Sequence, residues 1–158
     1  MAHFFSYNSP AITNISLAPF GLDAFYLNVV REDMLHPFVS GNKFRKLKYN
    51  IVAAEDNGFS TLLTFGGAFS NHIAAVAAAG KELNFKTIGV IRGEELLYKI
   101  AQNPTLSFAK DCGMELHFIS REDYKRKEEE QLLTKLKNKF GDFYILPEGG
   151  TNALAVQG

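Results

Sequence analysis

Thr61-Leu62-Leu63-Thr64-Phe65-Gly66-Gly67-Ala68-Phe69-Ser70-Asn71-His72 runs from a short, nearly continuous apolar stretch through two glycines into an alanine-rich segment. The apolar stretch reads as a strand covered on both faces, because a strand with one wet side would alternate with polar residues. The alanine-rich segment predicts a helix from about Asn71 to Leu83. Two glycines and the small residues after them let the backbone come close to a ligand, and the helix start offers unpaired N–H groups to an anion. Such a turn also occurs simply to make the turn.

The same alternation continues downstream. A strand Thr87-Ile88-Gly89-Val90-Ile91 is followed by a helix from about Pro104 to Asp111 and a strand Glu115-Leu116-His117-Phe118-Ile119. A long helix then opens at Ser120-Arg121-Glu122-Asp123, a capping arrangement, and the last strand is Phe143-Tyr144-Ile145-Leu146. The run Lys125-Arg126-Lys127-Glu128-Glu129-Glu130 mixes signs and reads as the solvated outer face of that helix. Strands alternating with helices call for right-handed crossovers. The expected fold is α/β, an open four-stranded parallel sheet with helices on both faces and strand order 2-1-3-4.

Upstream, Ser40-Gly41-Asn42-Lys43-Phe44-Arg45-Lys46-Leu47-Lys48-Tyr49 begins a helix that stops near Asn57-Gly58, with Asn42 as its candidate N-cap. Phe44, Leu47, Ile51 and Ala54 share one apolar stripe, and Lys43 falls on it, whereas Arg45 lies opposite and Lys46 and Lys48 lie on the flanks. A lysine so placed either snorkels to water or loses enough solvation to lower its pKa, leaving an amine able to condense with a carbonyl. Residues 1–23 read as irregular chain. Phe25-Tyr26-Leu27-Asn28-Val29-Val30 reads as a strand with no second strand nearby to pair with.

The 158 residues suffice for one domain with a full core, and a formal net charge of +0 leaves no electrostatic footprint for nucleic acid or an anionic membrane. One cysteine, Cys112, rules out an internal disulfide and a thiolate metal cluster, and reads as a buried, inert thiol. His72 has Val76 at i+4 rather than a second metal ligand, and neither His36 nor His117 sits in a motif. The dinucleotide and P-loop glycine patterns do not occur. Met1-Ala2-His3-Phe4-Phe5 does not resemble a signal peptide, which points to a cytoplasmic protein.

Residues 40–49, with Arg31-Glu32-Asp33 and Leu35-His36-Pro37 before them, resemble the lysine motif of the 1-aminocyclopropane-1-carboxylate (ACC) deaminase and D-cysteine desulfhydrase family. Gly66-Gly67 with Ser70-Asn71-His72 is similar to that family's glycine-rich turn, and Pro147-Glu148-Gly149-Gly150-Thr151-Asn152-Ala153 to its return from the small to the large domain. The resemblance implies the tryptophan-synthase-β-like fold and the cofactor pyridoxal 5'-phosphate. Residues 1–43 would be an incomplete piece of the large domain, 44–150 the small domain, and 151–158 the start of the return.

The same resemblance assigns roles. Lys43 and Ser70 would be catalytic, Lys43 as the covalent anchor of the cofactor; Asn42 would belong to the cofactor site and Lys46 to its phosphate side. Asn71 would hydrogen-bond the cofactor ring, and Ser70, Asn71 and His72 would receive the substrate, Ser70 at its carboxylate. His72 stands where ACC deaminases proper commonly carry glutamine, which tilts the reading toward the desulfhydrase branch. The implied reaction converts a small amino acid, ACC or D-cysteine, to a 2-oxo acid and ammonia, in a homo-oligomer without nucleic-acid or membrane partners. The glycine-rich phosphate cup and ring-opening tyrosines of the full-length family lie outside the chain. The alternative is a non-catalytic α/β remnant or interaction module, favoured by an apolar patch around Phe4, Phe5, Tyr26 and Phe44.

Overall fold

The computed structural model describes residues 9–158. It opens with an antiparallel hairpin, β1 (Ala11–Ser16) paired to β2 (Tyr26–Arg31) with Ala11 opposite Arg31 and Ser16 opposite Tyr26. The strand expected to stand alone therefore has a partner within the segment read as irregular. All six residues of β1 are exposed, so no buried face imposes a period that the sequence could show.

Helix α1 (Asn42–Asp56) buries Phe44, Leu47, Ile51 and Ala54, the expected stripe. Its cap is a correction. Gly41 occupies the N-cap with φ 57° and ψ −139°, a conformation that suits glycine, while Asn42 is the first helical residue and is exposed. Next come β3 (Thr61–Gly66), α2 (Asn71–Leu83), β4 (Lys86–Arg92), α3 (Pro104–Asp111) and β5 (Glu115–Ile119). The expected long helix is two, α4 (Arg121–Lys125) and α5 (Glu130–Phe140). Ser120 Oγ accepts from the Asp123 N–H at 2.9 Å as its cap. Residues 125–130 are all charged and have no apolar side chain to hold a continuous helix to the sheet, so the chain breaks there. Strand β6 (Tyr144–Leu146) and a short α6 (Ala153–Gln157) complete the order.

Four parallel strands form one sheet in the order β5-β4-β3-β6. In the numbering of the sequence reading this is 3-2-1-4 rather than 2-1-3-4. Burial explains it: all of β3 and the middle of β4 are buried, as central strands must be, whereas β5 and β6 carry the partly exposed residues of edges. Side chains alternate between two cores. Leu62 and Ile91 join α1, α2 and α3 on one face, while Leu63, Phe65, Ile88 and Val90 join Tyr124 and Leu136 of α4 and α5 on the other. Phe44, expected in an exposed patch, is 1% exposed within the first core; Tyr26 is exposed, and Phe4 and Phe5 lie outside the described residues. No helix among the described residues is long and apolar enough to cross a membrane.

The strand order sets the place of the site. From β3 the chain crosses by α2 on one face to β4, and it comes back by α4 and α5 on the other face to β6, on the opposite side of β3. Connections that diverge in this way open a crevice at the carboxyl ends of the strands, where α/β sheets bind ligands.

Candidate active site

Two glycine-bearing turns meet in that crevice. After β3, residues 67–70 lead to Ser70, whose Oγ accepts from the Ile73 N–H at 3.4 Å and caps α2. A Cβ on Gly66 would stand 2.5 Å from Ile73 Cγ1, so only glycine permits this approach. After β6, Gly149 and Gly150 both adopt left-handed φ, 69° and 72°. A Cβ on Gly150 would lie 2.9 Å from Cε1 of His72, which fixes the second turn against the first turn of α2.

The start of α1 closes the third side. Lys43 Nζ donates to the Gly149 carbonyl at 3.0 Å, and Lys46 Nζ reaches the same oxygen at 3.4 Å and Thr151 Oγ1 at 2.7 Å. Behind them Asn50 is fully buried. Its Nδ2 donates to the Lys46 carbonyl at 2.8 Å and to Asn152 Oδ1 at 3.0 Å, and its Oδ1 accepts from Asn152 Nδ2 at 2.7 Å and Tyr144 Oη at 3.3 Å. Asn152 Oδ1 also accepts from the Ala155 N–H at 2.9 Å, capping α6. The segment after β6 is thus tied to α1 by side chains from both.

Burial holds the Lys43 amine below the usual lysine range, and the nearby charge of Lys46 adds to the effect. His72 is 2% exposed, and neither ring nitrogen has a hydrogen-bond partner among the described residues. Burial first, then the charges of Lys43 and Lys46, push its pKa down to about 3, against a smaller opposing influence of the Pro147 carbonyl, which lies near but outside good hydrogen-bond geometry. His72 is therefore a neutral imidazole at ordinary pH.

The structure gathers Lys43, Lys46 and His72 around residues 149–151, with Ser70 and Asn71 at the adjoining start of α2. Asn42 is not among them; it is exposed and makes no side-chain hydrogen bond with the described residues. The sequence reading missed Asn50. Its signal was present, since Asn50 lies one turn after Lys46 on the buried side of α1, and a polar group there requires partners.

No protein-family model matches the chain. The bifunctional D-cysteine desulfhydrase/ACC deaminase of Arabidopsis thaliana, a mitochondrial protein, is 33% identical over 138 residues, 82% of this chain. A putative ACC deaminase of Thermotoga maritima is 35% identical over 137 residues, 85% of this chain. The chain belongs to the ACC deaminase and D-cysteine desulfhydrase family. It spans 34% and 42% of the length of those two relatives. An ACC deaminase homologue of known structure superimposes on it with a TM-score of 0.71 at 26% identity, over 93% of this chain and 44% of that one. The parallel sheet with helices on both faces is the architecture this family segment shares with that structure.

Proposed function

We propose that the chain carries the lysine-bearing side of a pyridoxal-phosphate site that deaminates a small amino acid, ACC or D-cysteine, to a 2-oxo acid and ammonia, with residues 44–150 as its small domain. The observation that carries the reading is the Lys43 amine, partly desolvated, lowered in pKa and held at 3.0 Å by the Gly149 carbonyl in the crevice between β3 and β6. An amine with a lowered pKa is the nucleophile needed to attach an aldehyde.

The donor set fits the cofactor's chemistry. Lys43 supplies the point of attachment, Lys46 a second cation three residues on, and the start of α2 N–H groups for a negative charge. When bound, pyridoxal phosphate withdraws electrons from the carbon bearing the substrate's amine. Asn71 would orient the cofactor ring, Ser70 would hold the substrate's carboxylate, and neutral His72 would line the pocket without adding charge. Catalysis requires positioned groups on both sides of the cofactor, and this chain spans 34% and 42% of the two relatives' length.

A non-catalytic interaction module is the second reading. It is favoured by β1 and β2, whose neighbourhood exposes Phe20, Phe25 and Tyr26 at 76%, 62% and 85%. One experiment separates the two. Mixing the chain with pyridoxal phosphate should give an absorbance band that Lys43→Ala abolishes, and borohydride reduction should add the cofactor's mass at Lys43. No lysine-dependent band or mass would leave the module reading.

A further inference from the structure

The charged run 125–130 breaks the chain between α4 and α5, and all of its residues but one are exposed. Lys127 is the exception. Its side chain is 19% exposed, with Nζ lying 5.2 Å from the centre of the Tyr124 ring and 3.2 Å from Glu148 Oε2. Its backbone N–H donates to the Tyr124 carbonyl at 3.3 Å, so the lysine is held against α4 by main chain and side chain alike.

Tyr124 supplies an independent observation. Its ring is 3% exposed and packs edge-on against Phe65, yet its hydroxyl has no hydrogen-bond partner among the described residues. A buried hydroxyl left in that state is costly. Burial first, then the nearby Glu148 carboxylate, raise the pKa of the phenol, although the two groups stand outside good hydrogen-bond geometry. A carboxylate has two oxygens, so a small rotation of Glu148 lets one accept from the hydroxyl while the other stays with Lys127.

Glu148 immediately precedes the glycine pair whose carbonyl holds Lys43. Gly149 and Gly150 have left-handed φ and no side chain, so the plane of the peptide between them is set by the residues on either side. On the carboxyl side, Thr151 and Asn152 are tied to Lys46 and Asn50 of α1. On the amino side the tie is Glu148, and it runs to the opposite face of the sheet, where Tyr124 belongs to the second core.

We propose that Tyr124, Lys127 and Glu148 are positioning residues for Lys43: gripping the turn after β6 from the α4 face, they aim the Gly149 carbonyl and hence the amine that donates to it. They act on Lys43 through the backbone of residues 149–150. The proposal rests on the functional reading above for the use of that amine, but the grip itself needs no cofactor.

The test reads the turn and the amine separately on the 158-residue chain. Glu148→Gln and Lys127→Met should each speed hydrogen exchange at the Gly150 amide, which donates to the Pro147 carbonyl at 2.8 Å, by about two- to fivefold, the range of a partly exposed pair. Tyr124→Phe, which keeps the ring, should speed it less. In mildly acidic solution the proton–nitrogen cross-peak of the Lys43 ammonium, slowed in exchange by its bond to Gly149, should broaden in both charge variants. The double variant Lys127→Glu with Glu148→Lys rebuilds the pair in reverse and should recover both signals. A merely structural role would lower the urea midpoint and leave the Lys43 cross-peak unchanged, which overturns the proposal. Unaltered Gly150 exchange in the single variants, or a wild-type Lys43 ammonium that exchanges as fast as the exposed lysines, would overturn it too. Pyridoxal-phosphate attachment at Lys43 is scored separately on the wild-type chain: its absence sinks the cofactor reading alone, and unaltered Lys43 signals in the variants sink this inference alone.

Discussion

Asn50 and Asn152, 102 residues apart in sequence, exchange two hydrogen bonds through their side-chain amides, at 3.0 Å and 2.7 Å. Together with the Lys43 and Lys46 bonds to Gly149 and Thr151, the pair keeps residues 149–152 against α1; Asn50 also holds the Lys46 carbonyl and Asn152 also caps α6. Replacing Asn152 with alanine leaves a buried amide without its main partner, at a cost of about 1–3 kcal/mol. Urea unfolding should show that loss. Hydrogen exchange should show faster opening of the final helix, and a double substitution with Asn50→Ala should cost clearly less than the sum of the singles.

Lys46 adjusts the reactivity of Lys43. The Lys43 amine is lowered first by burial and then by the Lys46 charge, so Lys46→Gln should raise its pKa toward the ordinary lysine value. The pH profile for modification of Lys43 by an amine-selective reagent should move to higher pH. A profile that stays in place would show that the two ammonium groups do not sense each other.

His72 makes stability fall in acid. The folded chain keeps this imidazole neutral down to about pH 3, while the unfolded chain protonates it near 6.5. Between those values the unfolded state holds a proton that the folded state lacks, so stability drops as pH falls, by at most about 1.4 kcal/mol per pH unit from this group. Urea midpoints at pH 7, 5 and 4 should fall more steeply for the wild-type chain than for His72→Gln. Parallel lines would refute the assignment.

Gly80, buried within α2, sets two effects against each other. Alanine would favour the helix by about 1 kcal/mol. Its Cβ, however, would collide with Thr87 Cγ2 on β4 and lie 3.1 Å from the Phe85 carbonyl, and overpacking of that kind costs about 1–3 kcal/mol. Thr87 is itself 4% exposed and has little room to retreat. Gly80→Ala should therefore lower the melting temperature, against the helix-propensity expectation.

The alternation of buried strands and helices was readable from residue 61 onward, because strands covered on both faces announce themselves as short apolar runs and Lys43 stands out on an apolar stripe. What escaped the sequence did so for physical reasons. Strand β1 buries nothing, so it carries no periodic signal. Strand order depends on which edges are left partly wet, a property of the assembled sheet, and the error in order concealed the crevice between β3 and β6. Asn50 and the Gly149 carbonyl were missed because their partners lie about a hundred positions away. The expected association of Lys43 with Ser70 and Asn71, by contrast, came from residue motifs; the structure packs His72, beside them on α2, against Gly150, whose neighbour Gly149 accepts from Lys43.

The shared oxygen of Gly149 gives the crevice a toggle. Whatever reaches the Lys43 amine must first detach it from that oxygen, leaving Lys46 on Gly149 and Thr151 and the Asn50–Asn152 amide pair to hold the two segments together. The freed carbonyl stays beside the Lys46 ammonium, so the turn after β6 keeps a cationic partner when the Lys43 amine is engaged elsewhere.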